Sequence, residues 1–289
     1  MYNRISVFYK ETTLDLLKNQ NHQLDTSTTL YQRMKSAHDN HYKSLDILDQ
    51  LLKEMKLKYH LEQRIDNKPV EFQETDLLLT LGGDGTFIFA SHFVEDSAIL
   101  GINSAPASSV GYYCKYDLFN HLAEIRSLIE EIFTGKEKET ILDRIEINLN
   151  AEPIKHAVIN DCLLLEENPS ITTRYRVNFE GQSESQKSSG LWMTSASGSS
   201  AAFSSAGGSA FSARSSANKR QFGFISREVY RKENQKLLKG LVEEGQDFSI
   251  ESEMVNGRLY FDGGYAEHPV KMGDVLTVSF YQHPLRTFL

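Results

Sequence analysis

The stretch Asp76-Leu-Leu-Leu-Thr-Leu81, followed at once by Gly82-Gly83-Asp84-Gly85-Thr86, decides how the first half of the chain is read. An uninterrupted apolar run closed by glycines marks a strand buried on both faces, as in parallel sheets. Phe87 to Val94 is predicted to be the helix that follows. Ligands of open parallel sheets bind off the carboxyl ends of the strands, so the glycine-rich turn is a candidate site by position alone. Glycines let backbone approach a ligand with no Cβ in the way. Their N–H groups, with the helix start behind them, make a cradle suited to phosphate. Asp84 then has a use, because a carboxylate beside phosphate can hold a divalent cation or take a proton from an attacking hydroxyl. The same string also makes an ordinary tight turn, since Gly and Asp dominate turns.

Working outward, Ile5 to Tyr9 and Ala98 to Asn103 read as further strands. Between them, Leu30, Met34, Ala37, His41, Leu45, Leu48, Leu52 and Met55 recur at helical steps and predict a helix from about Thr29 to Tyr59. Asp117 is expected to cap a second helix through Leu118, Leu122, Ile125, Leu128 and Ile132. This order predicts an α/β domain with an open, mostly parallel sheet over residues 1–138. The charged Gly135-Lys-Glu-Lys-Glu139 marks a change of character. Runs at Thr140–Leu149, Ala157–Leu165, Thr173–Phe179, Leu191–Thr194, Phe248–Glu253, Arg258–Phe261 and Val275–Tyr281 read as strands, several alternating apolar with polar. Only Ser226 to Glu244 reads as helix among them. A β-rich domain over 139–269 is predicted, with the tail at about 270–289 free to return to the first domain.

Composition narrows the function. The chain has 289 residues, 40% hydrophobic and 24% charged, which suits a globular protein of one or two domains. Its 31 basic and 39 acidic residues give a formal charge of -8, so no nucleic-acid surface is expected and anions must be bound locally. No apolar run reaches the length of a membrane span, and the strand-like start shows no secretory signal, so no membrane partner and a cytoplasmic address are expected. Two cysteines are too few for a disulfide scaffold, and the nine histidines show no metal-ligand spacing. G-x-x-x-x-G-K-S/T and G-x-G-x-x-G are both absent, which removes the P-loop and the usual dinucleotide redox fingerprint. Serine fills more than a third of Ser183 to Ser216, yet Leu191-Trp-Met-Thr194 inside that tract argues for an ordered segment over a linker.

Four blocks together resemble the NAD kinase family: Gly82-Gly-Asp-Gly-Thr86; Leu100-Gly-Ile-Asn103; Asn160-Asp161; and Ser189-Gly-Leu-Trp-Met-Thr-Ser-Ala-Ser-Gly-Ser-Ser-Ala201 with Ser205-Ala-Gly-Gly208. Tyr9-Lys10 with Thr12-Thr13, the Arg33…His38 helix, and Phe222-Gly-Phe-Ile-Ser-Arg-Glu228 lean towards its divergent, mitochondrial-type branch. The resemblance implies a Rossmann-like N-terminal domain, a β-sandwich-like C-terminal domain, and an active site between them. It implies transfer of the γ-phosphoryl of ATP to the adenosine-ribose 2′-hydroxyl of NAD or NADH, with Mg²⁺ or another divalent cation. Asp84 takes the role of proton acceptor. Gly82, Gly83, Gly85, Thr86 and Asn103 fall on the nucleotide side, Asn160 and Asp161 on the dinucleotide, and Ser195, Ser197, Gly198, Ser199, Ser200 and Ala201 on the loop that wraps it. A homodimer or homotetramer is expected.

Independently of kinship, an Asn beside an Asp suits the donors and acceptors of a ribose, and polar neighbours within an apolar strand need partners that a ligand would supply. The chain departs from the family in two places. Ser189 stands where the family has Asp, and Ala202 where it has an aromatic; Phe203, one residue on, is either a stacking ring or core. Lys10 reads as a phosphate contact or an exposed loop lysine. Arg227-Glu228 reads as a phosphate guide or an ion pair, and Asp262-Gly-Gly264 as a hairpin turn. The rival readings are a lipid or sugar kinase sharing Gly-Gly-Asp-Gly, and a catalytically weak NAD(P)-binding protein.

Overall fold

A computed structural model describes residues 2–64, 72–107, 111–230 and 235–289. The chain forms two compact units, residues 1–141 with 285–289 and residues 142–284. Val275 to Phe280 therefore stays in the second unit, and the part that returns to the first is the short segment from Leu285.

The first unit contains β1 (Ile5–Tyr9), α1 (Thr13–Asn19), α2 (Thr29–Glu54), β2 (Tyr59–Gln63), β3 (Leu77–Gly82), α3 (Asp84–Ser91), β4 (Ala98–Asn103), β5 (Tyr116–Asp117), α4 (Leu122–Phe133) and β6 (Thr140–Leu142), closed by the final strand, Leu285–Thr287. The order is β2-β1-β3-β4-final strand-β6, with β5 also on β4. Pairings of β1 with β2 and β3, and of β4 with β3, β5 and the final strand, are parallel. Strands β3 and β4 are buried throughout because helices cover both faces. On one face Leu48, Leu51 and Leu52 of α2 and Ile125, Ile129 and Ile132 of α4 pack on Val7, Leu79, Leu100 and Ile102. On the other, Phe89 of α3 stacks on Phe8, ring centroids 5.8 Å apart.

The second unit is a β-sandwich. One antiparallel sheet runs β11 (Gln182–Ser188), β10 (Thr173–Phe179), β15 (Phe248–Ser252), β18 (Val275–Phe280), β7 (Ile145–Leu149), β8 (Glu152–Pro153). The other runs β14 (Lys239–Glu243), β13 (Gln221–Ser226), β12 (Leu191–Thr194), β9 (Asp161–Glu166), β16 (Gly257–Phe261), β17 (Ala266–Val270). A shared core lies between them: Tyr175, Val177 and Ile250 from the first sheet meet Leu164, Met193, Phe224 and Leu259 from the second.

Several local expectations are corrected. The segment from Ser226 to Glu244 is not a helix: Ser226 ends β13 and Lys239–Glu243 is β14, while residues 231–234 lie outside the described set. The run Thr140–Leu149 is two strands in two different sheets. Helix α2 stops at Glu54, and Tyr59 opens β2. Its buried face begins at His41, while Leu30 is exposed. Asp117 does not cap α4, whose N-cap is His121; its carboxylate accepts from Phe119 N and Asn120 N and closes the turn before the helix.

Candidate functional site

Parallel register brings the ends of three strands of the first unit level. Tyr9 lies beside Leu81, and Gly82 beside Asn103. Lys10, Gly82, Gly83, Asp84, Gly85, Thr86 and Asn103 thus share the carboxyl edge of the sheet. Asp84 is the first residue of α3, so the helix starts within the glycine string and not at Phe87 as predicted. Gly83 precedes it and accepts from Thr86 N at 2.9 Å. A Cβ on Gly82 would lie 2.3 Å from Thr86 Oγ1, so glycine there is what lets the buried Thr86 side chain fold back on the strand end. A Cβ on Gly85 would meet nothing within 4 Å, so this exposed turn presents bare backbone to open space.

Asp84 is fixed by contacts that were not legible in the sequence. Its Oδ2 accepts from Tyr112 N and its Oδ1 from Tyr113 N, both at 2.8 Å. Each oxygen keeps a further lone pair for a proton or a cation. Asn103 is buried and accepts from Ala105 N at 3.0 Å, so part of its role is to hold the strand exit. Lys10, half-buried, donates its backbone N–H to Leu81 O at 3.2 Å. Burial pushes its ammonium pKa down, and it forms no ion pair within the described residues. The imidazole pKa of the buried His41 of α2 is lowered by burial first and then by this positive charge.

The second unit gathers the other predicted residues. Asn160 immediately precedes β9, and Asp161 is its first residue. The serine-rich segment leaves β12, with Thr194 opposite Asp161, and turns through a 3-10 helix, Ser197–Ser200. Ser195 N and Thr194 Oγ1 both donate to Asn160 O at 2.9 Å, and Ser195 Oγ donates to Ile159 O. A Cβ on Gly198 would lie 2.2 Å from Asn160 O, so only glycine permits this crossing. Ser199 is buried and bonded to Ala196 O, whereas Ser200 and Ala201 are exposed and Ser197 is half-buried. The tract is therefore an ordered loop packed on the Asn160-Asp161 corner.

Asp161 is buried, and its carboxyl is pushed up to about 7, first by burial and then by the negative charge of Asp262. Asp262, read from sequence as a plain turn residue, sends its carboxylate back to the amides of Ile159, Asn160 and Asp161. Phe203 is core: it is buried, meets Phe211 edge-on, and lies against Gly208 and Gly223. Ala202 lines a cavity of about 420 Å³ with Trp192, Ser205, Ala206, Arg227 and Glu228. The Arg227 guanidinium sits 5.7 Å from the Trp192 ring.

Comparison with known proteins agrees with this geometry. Residues 3–136 match the ATP-NAD kinase N-terminal domain. A probable NADH kinase of Oryza sativa subsp. japonica is 28% identical over 83% of this chain and 78% of its own. An NADH kinase of Arabidopsis thaliana is 26% identical over 79% and 81%. Among solved structures, an Archaeoglobus fulgidus NAD kinase in complex with ATP aligns over 99% of this chain and 93% of its own, with a TM-score of 0.67 and 18% identity. Yeast NADH kinase complexed with NADH aligns over 99% and 83%, with the same TM-score and 15% identity; both likenesses establish the fold. Residues 3–136 thus carry the ATP-NAD kinase N-terminal domain, and sequence similarity to the two plant NADH kinases runs on past it.

Proposed function

We propose that this protein is an enzyme that transfers the γ-phosphoryl of ATP to the adenosine-ribose 2′-hydroxyl of NADH or NAD, giving NADP(H). The observation that carries the reading is Asp84, held by two backbone amides at the start of α3 beside open glycine backbone. In such transfers positioning and neutralisation of charge do most of the catalysis. Gly83, Gly85 and the first turn of α3 present N–H groups to phosphate, and Lys10 adds a positive charge at the same sheet edge. A ribose hydroxyl has a pKa far above a carboxylate's, so Asp84 receives the proton late, as charge leaves the attacking oxygen. In the second unit, Asn160 and Asp161 offer donor and acceptors to a ribose.

Among the described residues no group of three His, Cys, Asp or Glu could hold a metal by itself. Mg²⁺ usually takes one or two carboxylates and completes its shell with water and substrate phosphates, so it needs no such group. Asp84 would be the protein ligand of such a cation, which when bound would neutralise phosphate charge. Two plant relatives named NADH kinase make NADH the preferred acceptor to test. We place the protein in the cytoplasm as a homodimer or homotetramer; the two unpaired buried cysteines fit a reducing compartment. No described helix is long and apolar enough to cross a membrane. Initial rates with NAD and with NADH, at fixed ATP and Mg²⁺, test the assignment: product from either supports it. A folded protein that phosphorylates only lipid or sugar hydroxyls contradicts it.

A further inference from the structure

The turn after β16 does more than connect it to β17. One carboxylate, that of Asp262, collects three consecutive backbone amides: Ile159 N at 3.0 Å on Oδ2, Asn160 N at 2.8 Å and Asp161 N at 3.1 Å on Oδ1. In return Asp262 N donates to Asp161 O at 2.9 Å. The β16–β9 ladder ends at the Phe261–Cys162 pair, so the side chain continues the pairing where the backbone has turned away. Asp262 adopts φ 45°, an unusual region for a residue with a Cβ. Closing a hairpin needs no carboxylate, and glycine would be cheaper at that φ. The bonds to 159–161 are what the aspartate adds.

We propose that Asp262 is the positioning residue of the Asn160-Asp161 pair, fixing both through their amides and facing Asp161 with a like charge, so that dinucleotide binding is linked to release of a proton. The proposal rests on the dinucleotide reading above and deepens it. Asp161 is 6% exposed and accepts no hydrogen bond from a described side chain. Among the described residues the ionisable groups coupled to it are Asp262 and the buried thiol of Cys162; Tyr265 is coupled to Asp262, and the His156 ring meets Phe261 and Tyr265. Of these, Asp262 supplies the charge that acts on Asp161. Ribose hydroxyls donating to an ionised Asp161 would replace the missing donors, so binding favours the deprotonated form. Below the midpoint, dinucleotide affinity should fall about tenfold per pH unit.

The test measures Kd for NAD and NADH from about pH 5.5 to 8.5 in the full chain, for wild type, Asp262→Asn and Asp161→Asn, with a thermal melt for each. Wild-type affinity is expected to rise through neutrality and level off. Asp262→Asn should move the midpoint at least about one pH unit towards acid and raise the dinucleotide KM about tenfold, with the ATP KM unchanged. Asp161→Asn should bind weakly with a flat profile. An Asp262→Asn profile superimposing on wild type overturns the proposal. Should that variant fail to fold, wild-type calorimetry near pH 7 in two buffers of different ionisation enthalpy replaces it. Release of a fraction of a proton is expected, and none overturns the proposal. Absence of NAD and NADH binding at every pH, with ATP still bound, overturns the dinucleotide reading as well.

Discussion

Gly198 crosses Asn160 so closely that a Cβ on the glycine would stand 2.2 Å from the Asn160 carbonyl oxygen and 2.6 Å from its Cα. The same oxygen accepts from Ser195 N and Thr194 Oγ1, so the serine-rich loop and the Asn160-Asp161 corner are one packed body. Gly198→Ala must push the loop or the corner aside, at a cost of about 1–3 kcal/mol. The expected result is a lowered Tm together with a dinucleotide KM raised about tenfold or more, and little change in the ATP KM. Steady-state kinetics on the variant check this; equal losses for both substrates would contradict it.

A second prediction concerns stability against pH. The Asp161 carboxyl is pushed up to about 7, by burial first and the Asp262 charge second. The folded state therefore binds this proton more tightly than the unfolded state, whose pKa is near 4. Stability from this group is full below about pH 4 and is lost as pH rises towards 7. Asp161→Asn should thus stabilise the ligand-free protein by roughly 2–3 kcal/mol at pH 8, with the gain vanishing towards pH 4, while impairing binding. Denaturant unfolding at both ends of that range is the check. A variant no more stable than wild type at pH 8 would contradict the assignment.

Asp76, at the entry to β3, behaves in the opposite sense. Its side chain is buried, and burial alone would raise its pKa, but hydrogen bonds from Gln73 N, Ser6 Oγ and Arg4 Nε outweigh that and hold it below the ordinary value. Its contribution is present above about pH 4 and is lost as pH falls through the depressed folded value. Asp76→Ala should cost about 2 kcal/mol at neutral pH, because buried donors lose their acceptor. The deficit against wild type should shrink below about pH 3, which acid-unfolding curves would show.

The parallel core was legible because strands buried on both faces have to be apolar along their whole length: Leu77–Gly82 and Ala98–Asn103 leave little alternative. Alternation located β7 and β10 for the related reason that one face of each meets the sandwich core. Tyr59–Gln63 gave no such signal, since β2 is an edge strand with no fully buried position. Helical spacing misread Ser226–Glu244, where pairing with β13 decides the conformation of Lys239–Glu243. Of the site, the glycine string and the Asn-Asp pair could be picked out, but not what holds them. The amides on Asp84 come from Tyr112 and Tyr113, and the carboxylate under Asp161 comes from a turn about a hundred residues on. Asp262-Gly-Gly was visible as a turn, yet its long-range bonds leave no local pattern.

The central claim is that Asp84 takes the proton from a dinucleotide hydroxyl during phosphoryl transfer from ATP. The direct measurement is NADP(H) formation by the purified protein with ATP, Mg²⁺ and NADH or NAD, for wild type beside Asp84→Asn. The variant loses one acceptor towards the Tyr112 and Tyr113 amides and should melt slightly lower while still binding ATP. Its turnover should fall at least about 100-fold, the scale of a lost general base. Full activity in Asp84→Asn, or a folded wild type that phosphorylates neither dinucleotide, would contradict the account.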